Sequence, residues 1–117
     1  MEIRITWTKL DHTPVLEDYF RHKAEHLEHY VKPILSADLE LANETTHHRK
    51  GKIYRAEARL ALSKKTIYGK EIAEHPFEAV DLLMSSLRSQ LDDYKDGHVH
   101  HSKRRDLQDK ERMRGIR

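Results

Sequence analysis

Apolar and polar positions change period several times along this chain, and the changes mark its elements. In residues 2–8, Ile3, Ile5 and Trp7 alternate with Glu2, Arg4, Thr6 and Thr8. A period of two with β-branched residues predicts a strand with one buried face. At Thr13-Pro14 the pattern changes. Threonine can cap free helix amides, and proline suits the first helical position because its missing N–H would have gone unpaired. Leu16, Phe20, Ala24, Leu27 and Val31 then recur at helical spacing, opposite Glu17, Asp18, Arg21, Glu25 and Glu28. That predicts an amphipathic helix of roughly 17 residues ending before Pro33.

Alternation returns over 34–45, where Leu39 and Leu41 oppose Asp38 and Glu40. The polar stretch His47–Lys52 contains Gly51 and reads as a hairpin loop. Residues 53–62 give the clearest strand. Tyr54, Ala56, Ala58, Leu60 and Leu62 line one side, with Arg55, Glu57 and Arg59 on the other. Ser63-Lys64-Lys65 is a second turn, and 66–73 a fourth strand. Its register is ambiguous, since Ile67/Gly69/Ala73 and Tyr68/Ile72 are both partial stripes; a bulge near Gly69 would account for that. Pro76 opens a second helix with the stripe Val80, Leu83, Met84, Leu87, Leu91 and Tyr94, expected to end near Lys95–Gly97. The order β-α-β-β-β-α predicts an α+β fold. Strands two to four form an antiparallel meander in a four-stranded sheet, and two helices pack on one face. The predicted core includes Ile3, Ile5, Leu16, Phe20, Leu27, Leu60, Val80, Leu83, Leu87 and Leu91.

Composition narrows the function. At 117 residues the chain suits one domain. It is 36% charged yet carries a net charge of only +2. From Asp96 to Arg117 there are seven basic and four acidic residues, net +3, which leaves residues 1–95 at −1. The reading is therefore an α+β domain over 1–95 and a mobile basic tail over 96–117, too polar to fold alone. There is no cysteine, which excludes disulfides, thiolate metal sites and cysteine nucleophiles. No Gly-rich phosphate loop appears, nor any apolar run of membrane-spanning length, nor a secretory signal. A cytoplasmic protein without cofactor or small-molecule substrate is expected.

Ten histidines invite a metal reading. His22, His26 and His29 share a helix face at a spacing that can bind zinc, but no acidic third ligand stands in register. His98-Val99-His100-His101 falls in the expected tail and His47-His48 in the hairpin loop. No metal site is assigned. No nucleophile stands beside a base, so no catalytic residue is assigned and the chain reads as a non-enzyme. Cations offer a better hypothesis. Arg49, Lys50 and Lys52 share one loop and Lys64 and Lys65 the next turn, while Arg55 and Arg59 project from the exposed sheet side. Lysine and arginine on a rigid scaffold neutralise phosphates, and counterion release drives binding. Aromatic residues do not interleave with them, so backbone or shape recognition is expected rather than base stacking.

Several segments carry a resemblance. Met1-Glu2-Ile3-Arg4-Ile5-Thr6, Thr13-Pro14-Val15-Leu16-Glu17-Asp18-Tyr19, Lys23 and Leu27-Glu28 are followed by Tyr54-Arg55-Ala56-Glu57-Ala58 and Phe77-Glu78-Ala79-Val80-Asp81-Leu82-Leu83. Leu87-Arg88-Ser89-Gln90-Leu91 and Tyr94-Lys95 complete the set. Together they resemble the ribosome hibernation-promoting factor and ribosome-associated translation inhibitor family, also called sigma-54 modulation proteins, over about residues 1–95. The resemblance implies a short-form member that binds 16S rRNA in the mRNA–tRNA groove of the small ribosomal subunit and silences translation in stress or stationary phase. The expected rRNA contacts are Arg4, Lys9, Lys23, Arg49, Lys50, Lys52, Arg55, Arg59, Lys64, Lys65, Arg88, Lys95, Lys103, Arg104 and Arg105. The second helix departs from the family pattern. Where several cations are usual, it reads Ser86, Arg88, Ser89, Asp92, Asp93 and Lys95; in the first helix His26 stands at a frequent lysine position. The alternative is a divergent paralogue acting as a protein-interaction module without ribosome binding, which a continuous acidic face on the second helix and outer sheet would favour.

Overall fold

The computed structural model describes residues 1–46 and 51–100, with side chains through Lys95. Its elements are β1 (Glu2–Thr8), α1 (Pro14–His26), β2 (Ser36–Asn43), β3 (Tyr54–Ala61), β4 (Thr66–Ala73) and α2 (Pro76–His100). The α+β order β-α-β-β-β-α stands as read. The four strands form one mixed sheet in the order β1-β2-β3-β4. β1 runs parallel to β2, as the α1 crossover between them allows. The remaining pairs are antiparallel.

Local chemistry sets the ends of α1. The Thr13 hydroxyl accepts the Leu16 amide at 3.2 Å, and Pro14 takes the first turn. The α-helix closes at His26 and a 3₁₀ turn, Leu27–His29, tightens its end; the Tyr30 amide donates to the Leu27 carbonyl. Leu16, Phe20, Ala24 and Leu27 are buried along one stripe. They meet Ala37, Leu39 and Leu41 of β2, Ala56, Ala58 and Leu60 of β3, and Val80, Leu83, Leu87 and Leu91 of α2 in a single core. Burying each large side chain stabilises the fold by about 1.5–3 kcal/mol relative to exposure. Ile3, Ile5 and Trp7 on edge strand β1 are only partly buried against this core.

Two expectations are corrected. β3 and β4 pair residue for residue from Tyr54↔Ala73 to Ala61↔Thr66, so β4 has no bulge. The inward stripe is Ile67, Gly69, Glu71 and Ala73; it looked broken because Gly69 has no side chain and Glu71 is polar. A Cβ at Gly69 would lie 3.0 Å from Leu83 Cδ1 and 3.0 Å from Leu87 Cδ2, so glycine there admits α2 close to the sheet. The second correction is the end of α2, which runs to His100 rather than stopping near Lys95–Gly97. One glycine costs a helix only about 1 kcal/mol relative to alanine, and extending a formed helix needs no new nucleus.

Candidate nucleic-acid interface

Strand pairing arranges the outer face of the sheet into cross-strand rows. Arg4, Asp38, Arg59 and Tyr68 form one row; Thr6, Glu40, Glu57 and Lys70 form the next. Thr8, Ala42, Arg55 and Ile72 follow. Glu40 and Glu57 stand directly opposite each other, a like-charge pair that needs a cation between them. Arg55 supplies it. Its Nε donates to Glu44 at 2.7 Å, and Nη1 donates to Glu40 at 3.2 Å and also to Glu57. The Arg55 side chain is only 15% exposed. Its pKa is raised by Glu44 first and then Glu40. Glu40 is held below the usual carboxylate range, first by the Thr8 hydroxyl donating at 2.6 Å and then by Arg55. The Tyr68 hydroxyl donates to Glu57 at 2.6 Å, which pushes the phenol up. Arg59 lies 5.7 Å over the Tyr68 ring, and Arg4 lies 3.7 Å from Asp38 and 3.9 Å from Glu2. On this face Arg55, and more loosely Arg4, are thus answered by carboxylates within the fold, whereas Arg59 rests on a ring.

The helix side is built differently. Between α1 and α2 runs a groove of ≈220 Å³ lined by Lys23, His26, Tyr30, Asp81, Ser85 and Arg88, with Leu27 and Met84 beneath. Lys23 lies 5.3 Å over the Tyr19 ring, and Arg88 lies 5.6 Å over the Tyr30 ring and donates to its hydroxyl at 3.2 Å. Each ring attracts its cation without cancelling the charge. The one carboxylate in the groove, Asp81, accepts the Tyr19 hydroxyl at 2.5 Å, which raises the Tyr19 pKa. Tyr19 also meets Phe77 edge to face at 5.0 Å, fixing the spacing of the two helices at their N-terminal ends.

A second groove, ≈350 Å³, opens where α1 ends. Lys32 and Lys95 line it with Tyr30, Tyr94, Leu62 and Ser63. The exposed Lys64 and Lys65 follow Ser63 in the β3–β4 turn. Strand polarity therefore brings Lys32, Lys64, Lys65 and Lys95 to one end of the sheet, adjoining Lys23 and Arg88. Lys9 and Lys52 sit at the opposite end. Lys9 turns the chain out of β1 with φ 56°, and exposed Lys52 follows Gly51, which has φ 81°. Of the expected contacts, Arg49, Lys50, Lys103, Arg104 and Arg105 lie outside the described residues.

Lys32 was missed in the sequence. Its place beside Lys95 depends on how the end of α1 meets the β3–β4 turn. The exposed charges on α2 are acidic at Glu78, Asp81, Asp92 and Asp93, and Arg88 and Lys95 interrupt them among the described residues. No group of three or more His, Asp or Glu side chains among the described residues could hold a metal ion. No helix among them is long and apolar enough to cross a membrane.

Solved structures share this architecture. The Thermus thermophilus Protein Y N-terminal domain superposes with a TM-score of 0.67 at 22% sequence identity, covering 80% of this chain and 99% of that one. A ribosomal subunit interface protein from Coxiella burnetii gives a TM-score of 0.65 at 25% identity, covering 81% of this chain and 98% of that one. No curated protein matches the chain. The model of the sigma 54 modulation protein / S30EA ribosomal protein family matches residues 3–98, nearly the whole described fold, and the chain belongs to that family.

Proposed function

We propose that this protein is a ribosome-associated translation inhibitor. It binds 16S rRNA in the mRNA–tRNA channel of the small subunit during stress or stationary phase, and acts by occupancy rather than by catalysis. Family membership and the similarity to a ribosomal subunit interface protein support a ribosomal partner. The observation that carries the reading is the convergence of Lys23, Arg88, Lys32, Lys95, Lys64 and Lys65 on the helix grooves and the adjoining end of the sheet. These cations come from four separate segments, as a surface that follows a folded RNA backbone requires. Lys9 and Lys52 would extend the contact at the far end; Arg49, Lys50, Lys103, Arg104 and Arg105, which lie outside the described residues, are proposed as further contacts. Arg4, Arg55 and Arg59 take the weakest share, because Arg4 and Arg55 are paired with carboxylates and Arg59 stands on a face that Asp38, Glu40 and Glu57 make mixed in charge.

Sucrose-gradient sedimentation of a stationary-phase lysate at low and high salt tests the proposal. The protein should travel with small subunits in low salt. About six phosphate contacts weaken binding by roughly 10³ between 50 and 200 mM salt, so the protein should leave the subunits on that scale. A protein that stays at the top of the low-salt gradient contradicts the proposal. One observation favours the protein-interaction alternative: Tyr68 and Ile72 are 43% and 52% exposed on the mixed-charge outer face. In that case subunit binding is absent, and charge reversal in the grooves has no consequence in the gradient.

A further inference from the structure

His26 and His29 stand three positions apart where α1 passes into its 3₁₀ turn. Their rings stack with centroids 4.3 Å apart and planes inclined by 29°. Both side chains are exposed, and His26 lines the groove that holds Lys23 and Arg88. Two other histidines near α1 are engaged locally. His12 pairs with Glu17, and the His22 Nδ1 lies 3.2 Å from the Asp18 carbonyl. Among the described residues, no hydrogen bond or ion pair occupies the ring nitrogens of His26 or His29.

Two neutral imidazoles can stack at little cost, whereas two imidazoliums at that separation repel. Their surroundings are mixed. Lys23, Arg88 and Asp81 line the groove with His26. Tyr30 meets His26 edge to face at 6.4 Å. His29 shares its surface with Glu25, Glu28 and Lys32. Of these, Glu28 is drawn toward the N-terminal amine of Met1 at 4.0 Å. A phosphodiester laid along the groove supplies the negative charge that two adjacent imidazoliums lack, so its arrival would draw protons onto the pair.

We infer that the His26–His29 stack is an RNA-phosphate contact that engages in its protonated form, so that acidification tightens the hold of this groove on the RNA backbone. The inference rests on the proposed ribosomal function and adds two contacts and a proton requirement to it. Linkage fixes the sign. A ligand that favours the protonated rings binds with proton uptake, so its affinity rises as pH falls through the histidine range.

The test is equilibrium binding of the full chain to purified small ribosomal subunits, at one ionic strength, at about pH 7.5 and about pH 6.0. The ratio of the two affinities is read for the unaltered chain, for His26→Gln with His29→Gln, and for His22→Gln. Protonation of the ribosome contributes alike to all three, and His22→Gln controls for the loss of a histidine elsewhere on the same helix. The unaltered chain and His22→Gln should tighten by roughly tenfold on acidification, and the double variant by less than about threefold. Circular dichroism confirms that each variant is folded. If the double variant shows the full pH response, the inference is overturned while the groove reading stands. If no chain binds at either pH, the ribosomal reading fails and the inference falls with it.

Discussion

The outer face of the sheet and the groove between the helices each display arginine, and they use it in opposite ways. On the sheet, Arg55 is surrounded by Glu40, Glu44 and Glu57 and has little charge left to offer. In the groove, Arg88 and Lys23 lean on tyrosine rings, which hold their position and leave the charge facing outward. Counting cations along the chain gives both faces similar standing. What separates Arg55 from Arg88 and Lys23 is whether the neighbour that fixes the cation is a carboxylate or a ring.

The largest expected effect comes from reversing charge on each face in turn. Lys23→Glu with Arg88→Glu should weaken association with small subunits by roughly 100-fold at low salt, since two phosphate contacts become repulsions. Arg4→Glu with Arg59→Glu should change it by less than about threefold, screening included. Co-sedimentation across a protein titration measures both. Equal losses from the two pairs would erase the distinction between the faces.

Removing Arg55 should act on stability instead. Arg55→Ala leaves Glu40 and Glu57 opposed across β2 and β3 with no cation between them, in a partly covered site. Destabilisation of about 1–2 kcal/mol is expected by denaturant titration, with subunit affinity unchanged under conditions where the variant remains folded. A stable variant with weakened ribosome binding would move Arg55 from scaffold to interface.

A smaller effect follows from Glu40 and is read as a pH dependence. Its carboxyl is held below the ordinary range by Thr8 and Arg55, so the folded state resists its protonation. The stability this contributes is whole above the unfolded carboxylate value of about 4.3 and is lost as pH falls through the lower folded value. Glu40→Gln should therefore flatten the acid limb of the stability profile below about pH 4.5, followed by thermal unfolding at stepped pH. An unchanged limb would mean that the pair with Arg55 contributes nothing measurable.

Period and punctuation alone revealed the fold. Thr13-Pro14, Gly51 and Pro76 marked the boundaries, and the alternation of Tyr54 to Leu62 placed β3 correctly. The Glu57 partner of Arg55 was legible too, two residues away on the same strand face. Glu40 and Glu44 were not. They lie 15 and 11 residues back, and reach Arg55 only through the register Ala42↔Arg55, which the hydrophobic pattern does not specify to the residue. Gly69 was ambiguous for a related reason. A missing side chain leaves the same gap in a stripe whether the strand bulges or a helix presses against it, and only the positions of Leu83 and Leu87 decide. The grooves depend on α1 and α2 lying side by side, so Lys23 could be singled out in the sequence but not placed opposite Arg88. Lys32 carried no local signal at all.

Arg4 carries the smallest prediction and tests the comparison at its margin. Its side chain is 68% exposed, and its contacts with Asp38 and Glu2, at 3.7 Å and 3.9 Å, are long for ion pairs. Pairs of that kind are worth about 0–0.5 kcal/mol because water screens the charges and two mobile side chains must be ordered. Arg4→Ala should accordingly shift the melting temperature by no more than about 2–3 °C in a domain of this size. Ribosome binding gives the sharper reading. If Asp38 and Glu2 already answer the charge of Arg4, its loss leaves the dependence of affinity on salt concentration unchanged. If Arg4 instead releases a counterion from RNA, the slope of log affinity against log salt falls by about 0.7–0.9, and β1 joins the interface. The salt series separates these cases even where a single affinity does not, because the slope counts phosphate contacts independently of how strong each one is.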